Sequence, residues 1–373
     1  MVSVVLCLAL SQLAPPVDVV PDVRYGPTPA EWAPLGTDRA SVLDGLERLT
    51  RAAVQFQDES GAFIDPVLGR EFQYATPYLA YGIGALVDAG RADDLLDAGI
   101  RAMDHATEQF SRGNVAIPDQ HGEFFIAPLA GALGFYEDHV DRGVIERWRT
   151  RLRTPIDRVI ENRNAKTNNW RTYAMKGEWL RHRAGLVSRD EAVEFIEDAW
   201  LNRSQRARVL GTKYFLYQDW NGDPQSHAVE AVGRGNLLAL VAAGYDGPSA
   251  GEIRAAVEHA THATLLMQDP RGQCPPNGRT DNHVFNDVLY ALAFAVMSGT
   301  ERARGEDELA ARYRRGAALG YASVQRWWRD DGEWANTFSI TKNFFEPTER
   351  VNYQPASQFS NYTGAMIYHL AEL

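Results

Sequence analysis

Cysteine is nearly missing: Cys7 and Cys274 are the two present in 373 residues, which excludes a disulfide framework and a thiolate-held zinc cluster. Positive charge is also in short supply. The chain has 38 Lys and Arg against 49 Asp and Glu, and the resulting net charge of −11 repels nucleic acid and acidic membrane surfaces unless a local basic patch offsets it. The arginine run Arg147, Arg149, Arg151 and Arg153 is not such a patch, because Glu146 and Asp157 flank it on one predicted helix. Neither nucleic acid nor a membrane is therefore expected as a partner, and an acidic substrate would have to be held by local cations. Beyond the first residues no stretch approaches the roughly eighteen uninterrupted apolar residues of a membrane span.

A linker is lacking as well. Between residue 38 and the C-terminus there is no Pro- or Ser-rich tract, low-complexity segment or abrupt change of composition, so a single catalytic domain over 38–373 is expected. An N-terminal extension, 1–37, precedes it. Its apolar run from Val4 to Leu10 is like the core of a signal peptide but has neither a basic start nor an A-x-A cleavage site, which leaves secreted, periplasmic and cytoplasmic locations all open.

Strand-like alternation is almost absent from the sequence. From about residue 39, apolar residues recur at i, i+3, i+4 and i+7, interrupted by short breaks containing Gly, Pro or Asn. The spacing predicts helices over 39–57, 74–89, 91–111, 123–139, 141–163, 168–186, 188–208, 226–244, 249–268, 281–299, 305–330 and 358–372. These form six pairs in which one member is charged and amphipathic, such as Asp93 to Phe110, and the other is small and apolar, such as Leu79 to Leu86. Helices of the second kind are enclosed by protein and those of the first face water, so an inner ring within an outer ring is expected. A two-layer solenoid shows the same alternation but repeats at a fixed period. The irregular loops Lys213–Gln225 and Trp334–Gln354 favour the closed, all-α (α/α) toroid.

The chemistry gathers where the apolar helices begin: Glu71 to Tyr74, Asp119 to Glu123, Asn168 to Arg171, Ser226-His227 on to Arg234, Asn277 to His283, and Gln354 to Tyr362. In a closed ring the inner helices run parallel, which brings all these beginnings to one end. Asn168, Ser226, Thr280 and Asp281 read as ordinary N-caps. His, Arg, Trp and Tyr gain nothing from a helix start, and a cation there opposes the helix dipole. His283 has Asp287 one turn and Tyr290 two turns further along its face, and His227 follows Asp219 and Asp223. Aromatic rings stack on sugar C–H faces and amides bond hydroxyls, so Tyr74, Trp170, Trp220, Tyr353 and Tyr362 suit a carbohydrate cleft, while Trp327 and Trp328 read as packing residues.

The Asn168-Asn169-Trp170 and Ser226-His227 helix starts, with the Tyr-bearing helix after Arg279, resemble the (α/α)-toroid polysaccharide lyases of the alginate and glucuronan type, over roughly 70–370. That resemblance implies β-elimination on an acidic polysaccharide. An Asn neutralises the C6 carboxylate, a His or Tyr removes the C5 proton, and a Tyr protonates the leaving O4. Carried over, Asn169 matches the neutralising amide and His227 the family's His, with Arg279 and Arg234 as candidate carboxylate grips; which His or Tyr is acid and which base stays open. The family's Tyr falls two turns after the His, where this chain has Arg234; Tyr290, with His283, is the first choice for that role, and Tyr173 and Tyr353 stay open. Gln73, His121, Trp170, Tyr173, Arg234 and Tyr353 are the expected substrate-binding residues. No metal and no cofactor are implied. A toroidal glycoside hydrolase would instead need two carboxylic acids, drawn from Asp119, Glu123, Asp219, Asp223 and Asp281. A non-catalytic sugar-binding toroid would have little use for His121, His227 and His283.

Overall fold

The computed structural model describes residues 38–66, 68–160, 168–219, 227–275 and 283–330, with Asn336, Gly364, Tyr368 and His369. Among these, eleven long helices follow one another: α1 Arg39–Val54, α2 Ala75–Asp88, α3 Leu96–Arg112, α4 Glu123–Tyr136, α5 Arg142–Leu152, α6 Asn169–Arg183, α7 Arg189–Leu201, α8 His227–Ala242, α9 Ala250–Leu265, α10 Phe285–Arg304 and α11 Asp307–Gln325. The even-numbered helices pack side by side in the order α2, α4, α6, α8, α10, and the odd-numbered ones lie outside them. At the C-terminus Tyr368 and His369 meet Tyr81 of α2, Tyr368 also meets Phe135 of α4, and a Cβ on Gly364 would lie 3.0 Å from Leu49 of α1. The end of the chain thus returns to its beginning, and the fold is an all-α (α/α) toroid.

The two rings follow from side-chain chemistry. In α3 the buried positions Ala98, Ala102, Ala106 and Phe110 repeat every four residues as one stripe, leaving the charged faces to water. In α2 every residue from Ala75 to Val87 is buried, because protein surrounds an inner helix on all sides. Helix starts are secured locally: Asp38 accepts from the Ser41 N–H at 2.7 Å, Asn168 from the Trp170 N–H at 3.2 Å, and Ser188 shares a capping box with Glu191.

Three boundaries differ from the pattern reading. The helix expected over 141–163 stops at Leu152 and a short turn, Ile156–Val159, restarts after Pro155, whose ring and missing N–H break the ladder. The one expected over 188–208 breaks at Ser204, which takes the left-handed conformation (φ 66°). Helix α10 runs past the expected end at 299 to Arg304, where Gly305 (φ 84°) closes it; a mid-helix Gly299 costs only about 1 kcal/mol and does not stop a well-packed helix. A two-residue hairpin, β1 Ile64–Asp65 with β2 Arg70–Glu71, is too short to show alternation, and it carries Glu71 and Gln73 to the start of α2.

Inner helices approach closely where one of them offers glycine. At Gly177 of α6 a Cβ would fall 2.6 Å from the Ile126 side chain of α4. Gly177→Ala is expected to destabilise the fold by about 1–3 kcal/mol through overpacking, read as a lowered denaturation midpoint.

Candidate active site

The starts of α2, α4 and α6 meet through their aromatic side chains. Tyr74 stacks on Phe124 with centroids 4.4 Å apart and planes within 6°. Phe124 touches Tyr173 at 4.1 Å and Trp170 at 5.5 Å, and the His121 ring lies 4.4 Å from that of Trp170. Four of the residues singled out in the sequence, Tyr74, His121, Trp170 and Tyr173, therefore form one cluster. Tyr74 and Tyr173 are its buried base, and His121 and Trp170 are its half-buried upper layer.

The backbone under this cluster is strained. Gln73, Asp119 and Gln120 hold φ values of 45°, 52° and 55°, the left-handed region that costs a non-glycine residue about 1–3 kcal/mol and concentrates at functional sites. Asp119 binds the strained pieces together, accepting from the Gln73 N–H at 3.2 Å and from the Arg70 guanidinium at 3.2 Å. Its own carbonyl receives His121 Nδ1 at 2.7 Å. A carbonyl can only accept, so Nδ1 carries the proton and the neutral ring keeps its lone pair on Nε2. The tautomer of His121 is thereby fixed.

Asn169 opens α6 under similar control. Its backbone N–H donates to Asp219 Oδ1 at 2.7 Å and its side-chain Nδ2 donates to the same oxygen at 3.1 Å. Asp219 is 2% exposed, and the segment around it is tied back by Arg208, which donates to the carbonyls of Gln218 and Asp219. Gln205 donates to the Asn168 carbonyl at 3.3 Å and accepts from the Tyr217 hydroxyl at 2.8 Å, completing the support. Held by one N–H, the Asn169 amide has a second to offer a ligand. Asp219→Ala is expected to lower turnover about 100-fold by releasing that amide, whereas Asp219→Asn, which keeps an acceptor oxygen, retains most activity; steady-state kinetics checks both.

On α8 and α10 the residues singled out in the sequence lie apart from this cluster. His227 begins α8 half-buried, but it shares a face with Glu230 and Arg234, three and seven residues on, and that face looks outward. Arg234 is 1% exposed and forms a two-pronged ion pair with Glu230 at 2.6 and 3.3 Å, while its other nitrogen donates to Thr261 of the outer helix α9 at 3.2 Å. Its guanidinium lies 5.2 Å from the centre of the Tyr290 ring, and the Tyr290 hydroxyl reaches Glu230 at 3.5 Å. Arg234 and Tyr290 thus belong to the wall between the rings, away from the aromatic cluster at the starts of α2, α4 and α6. His283 is fully buried, and the Asp287 carboxylate one turn on accepts from the Cys274 N–H at 3.0 Å and the Ser323 hydroxyl at 2.7 Å. Arg279 and Tyr353, with Trp220, Asp223, Asp281 and Tyr362, lie outside the described residues.

Phe124, Tyr81, Lys176 and His369 were not read from the sequence as site residues. Phe124 looks like ordinary core in an apolar run. Lys176 carried a signal, as a lysine seven residues after Asn169 in the body of an inner helix. Among the described residues no three His, Cys, Asp or Glu side chains gather as metal ligation requires, and no helix is long and apolar enough to cross a membrane.

The ring, with its polar and aromatic groups collected where the inner helices start, is the architecture of the (α/α)-toroid enzymes. Among solved structures the chain is similar to a polysaccharide lyase, at TM-score 0.58 and 11% identity over 90% of this chain and 96% of that one. It is equally similar to a family 88 glycosyl hydrolase from Bacteroides vulgatus (TM-score 0.60, 10% identity, 90% and 100% covered) and to an α-1,6-mannanase of family GH76 from Salegentibacter sp. HEL1_6 (0.60, 13%, 90% and 99%). At these identities the likeness is one of fold. No protein-family model and no curated protein matches the sequence.

Proposed function

We propose that the protein is a polysaccharide lyase that cleaves a uronic-acid polymer of glucuronan or alginate type by β-elimination at this rim. The observation that carries the reading is the pairing of an amide fixed by a buried carboxylate, Asn169 on Asp219, with an imidazole of fixed tautomer, His121, across Trp170. The C5 proton of a uronate is barely acidic until the charge of the neighbouring carboxylate is masked, and an oriented N–H donor does this best in the enolate-like transition state. Asn169 supplies that donor. His121 Nε2 takes the C5 proton, the C4–O4 bond breaks as the C4=C5 bond forms, and the imidazolium returns the proton to O4. The base ends as it began, and no water is consumed. Trp170 offers a ring face for the sugar to stack on.

Hydrolysis on the same toroid would need a carboxylic acid held protonated opposite a second carboxylate. The described candidates are otherwise engaged. Asp119 pairs with Arg70, Asp219 with Asn169, Glu123 is buried beside Arg171, and Glu71 accepts from Thr76, from His105 at 3.0 Å and from Gln109 at 2.7 Å. Digestion in ¹⁸O-labelled water separates the two reactions. Elimination leaves the new reducing ends without label and the new non-reducing ends unsaturated; labelled reducing ends with saturated non-reducing ends would mean hydrolysis and would retire the elimination reading.

A further inference from the structure

Two turns below the rim, the inside of the ring carries a second layer of polar groups that the elimination step does not use. On α6 the positions Asn169, Tyr173, Lys176 and Leu180 follow at helical spacing, and all but Tyr173 keep partial exposure, which marks the stripe facing the lumen. The seven-residue step from Asn169 to Lys176 is about 10 Å along the helix axis. On α2 the same step leads from Tyr74, stacked at the rim, to Tyr81, and on α4 from Phe124 to Gly131. A Cβ on Gly131 would lie 3.0 Å from the Tyr81 ring, so Tyr81 and Gly131 share one level, and Lys176, next to Gly177 whose Cβ would lie 2.6 Å from Ile126, stands about one turn nearer the rim. The Tyr81 hydroxyl is 3.0 Å from Nε2 of His369, and His369 is near enough to Lys176 for the lysine's charge to lower its pKa.

Lys176 is the unusual member of this layer. Its ammonium lies 5.2 Å from the centre of the Tyr173 ring and, among the described residues, meets no carboxylate. Lysines enclosed by protein are ordinarily paired. Burial alone, with no neighbouring charge to offset it, draws Lys176 down to about 8. His369 keeps solvent exposure, but the protein crowded around it, reinforced by the charge of Lys176, draws it down to about 4, so that imidazole is neutral at pH 7 and leaves Lys176 as the positive charge of the layer.

We propose that Lys176 is a substrate-recognition residue at the floor of the lumen, binding the carboxylate of a uronate unit that reaches past Tyr173, with the Tyr81 hydroxyl beside it. The inference rests on the reading of the substrate as an acidic polysaccharide and adds where one of its acidic groups is held. A bound carboxylate provides the counter-charge that the surroundings of Lys176 withhold, and a charge-assisted contact in such a place discriminates strongly against neutral sugars.

Calorimetric titration with a glucuronic-acid trisaccharide and with its carboxyl-reduced, neutral counterpart tests this on the wild type, Lys176→Gln and Lys176→Arg. The wild type is expected to prefer the acidic sugar, and Lys176→Gln to lose about ten-fold or more in affinity for it while binding the neutral one unchanged; Lys176→Arg retains the preference. Equal affinity of wild type and Lys176→Gln for the acidic sugar, or a wild type indifferent to the carboxylates, overturns the proposal. Should Lys176→Gln not fold, salt decides: affinity of the wild type for the acidic sugar falls with added salt if the proposal holds and is unmoved if it does not. Binding is read without turnover, so acid-selective binding that depends on Lys176 stands even where labelled products have retired the elimination chemistry.

Discussion

Replacing Asn169 by Ala is expected to lower kcat on the cognate polymer by about 10²–10³-fold, the usual effect of removing one preorganised donor from a developing oxyanion. The fold should tolerate the change, because Asn168 remains as the helix cap through its own bond to the Trp170 N–H. His121→Ala should produce a loss of similar order, since a positioned general base contributes about 10²–10⁴-fold. The two together should cost little more than the worse of them, as groups serving one transition state do not add. His227→Ala provides the contrast: on the outward-looking face of α8, its removal should change turnover by less than about three-fold. Steady-state kinetics on the four variants distinguishes this assignment from one in which His227 is the base.

The second large effect is on stability. Arg234→Met leaves the Glu230 carboxylate, 2% exposed, without its partner, and the loss should be about 3–5 kcal/mol. Arg234→Met with Glu230→Leu removes both charges from the wall between the rings and is expected to regain most of that loss, because burying an ion pair costs nearly as much in desolvation as it returns. Chemical denaturation of the single and double variants measures both quantities. Were Arg234 a substrate grip, as its position after Ser226-His227 first suggests, the single variant would raise KM at unchanged stability.

Much of the architecture is legible in the order of residues because the two rings demand different compositions. An apolar run such as Leu79 to Leu86 can be satisfied only by protein on all sides, and a stripe such as Ala98, Ala102, Ala106 and Phe110 only by protein on one. The rim is legible where a side chain is out of keeping with its position: His121 and Trp170 stand at helix starts, where neither can cap. Legibility fails where a polar side chain has two plausible faces. Arg234 reads as a grip until its i, i+4 relation to Glu230 and the hydroxyl of Thr261 place it in the wall, and the seven-residue spacing that invited comparison with a catalytic Tyr turns His227 the same way. Contacts distant in sequence, such as Asn169 with Asp219 fifty residues on, leave no periodic trace. Left-handed backbone at Gln73, Asp119 and Gln120 is likewise unannounced, since none of the three is glycine.

Elimination, and no other cleavage of a uronan, creates a conjugated C4–C5 double bond, so the most direct test is absorbance at about 235 nm with glucuronan, polymannuronate and polyguluronate offered separately. The account predicts a steady rise with one of these polymers that falls by about 10²-fold or more in both Asn169→Ala and His121→Ala. New reducing ends without any rise in absorbance would contradict it.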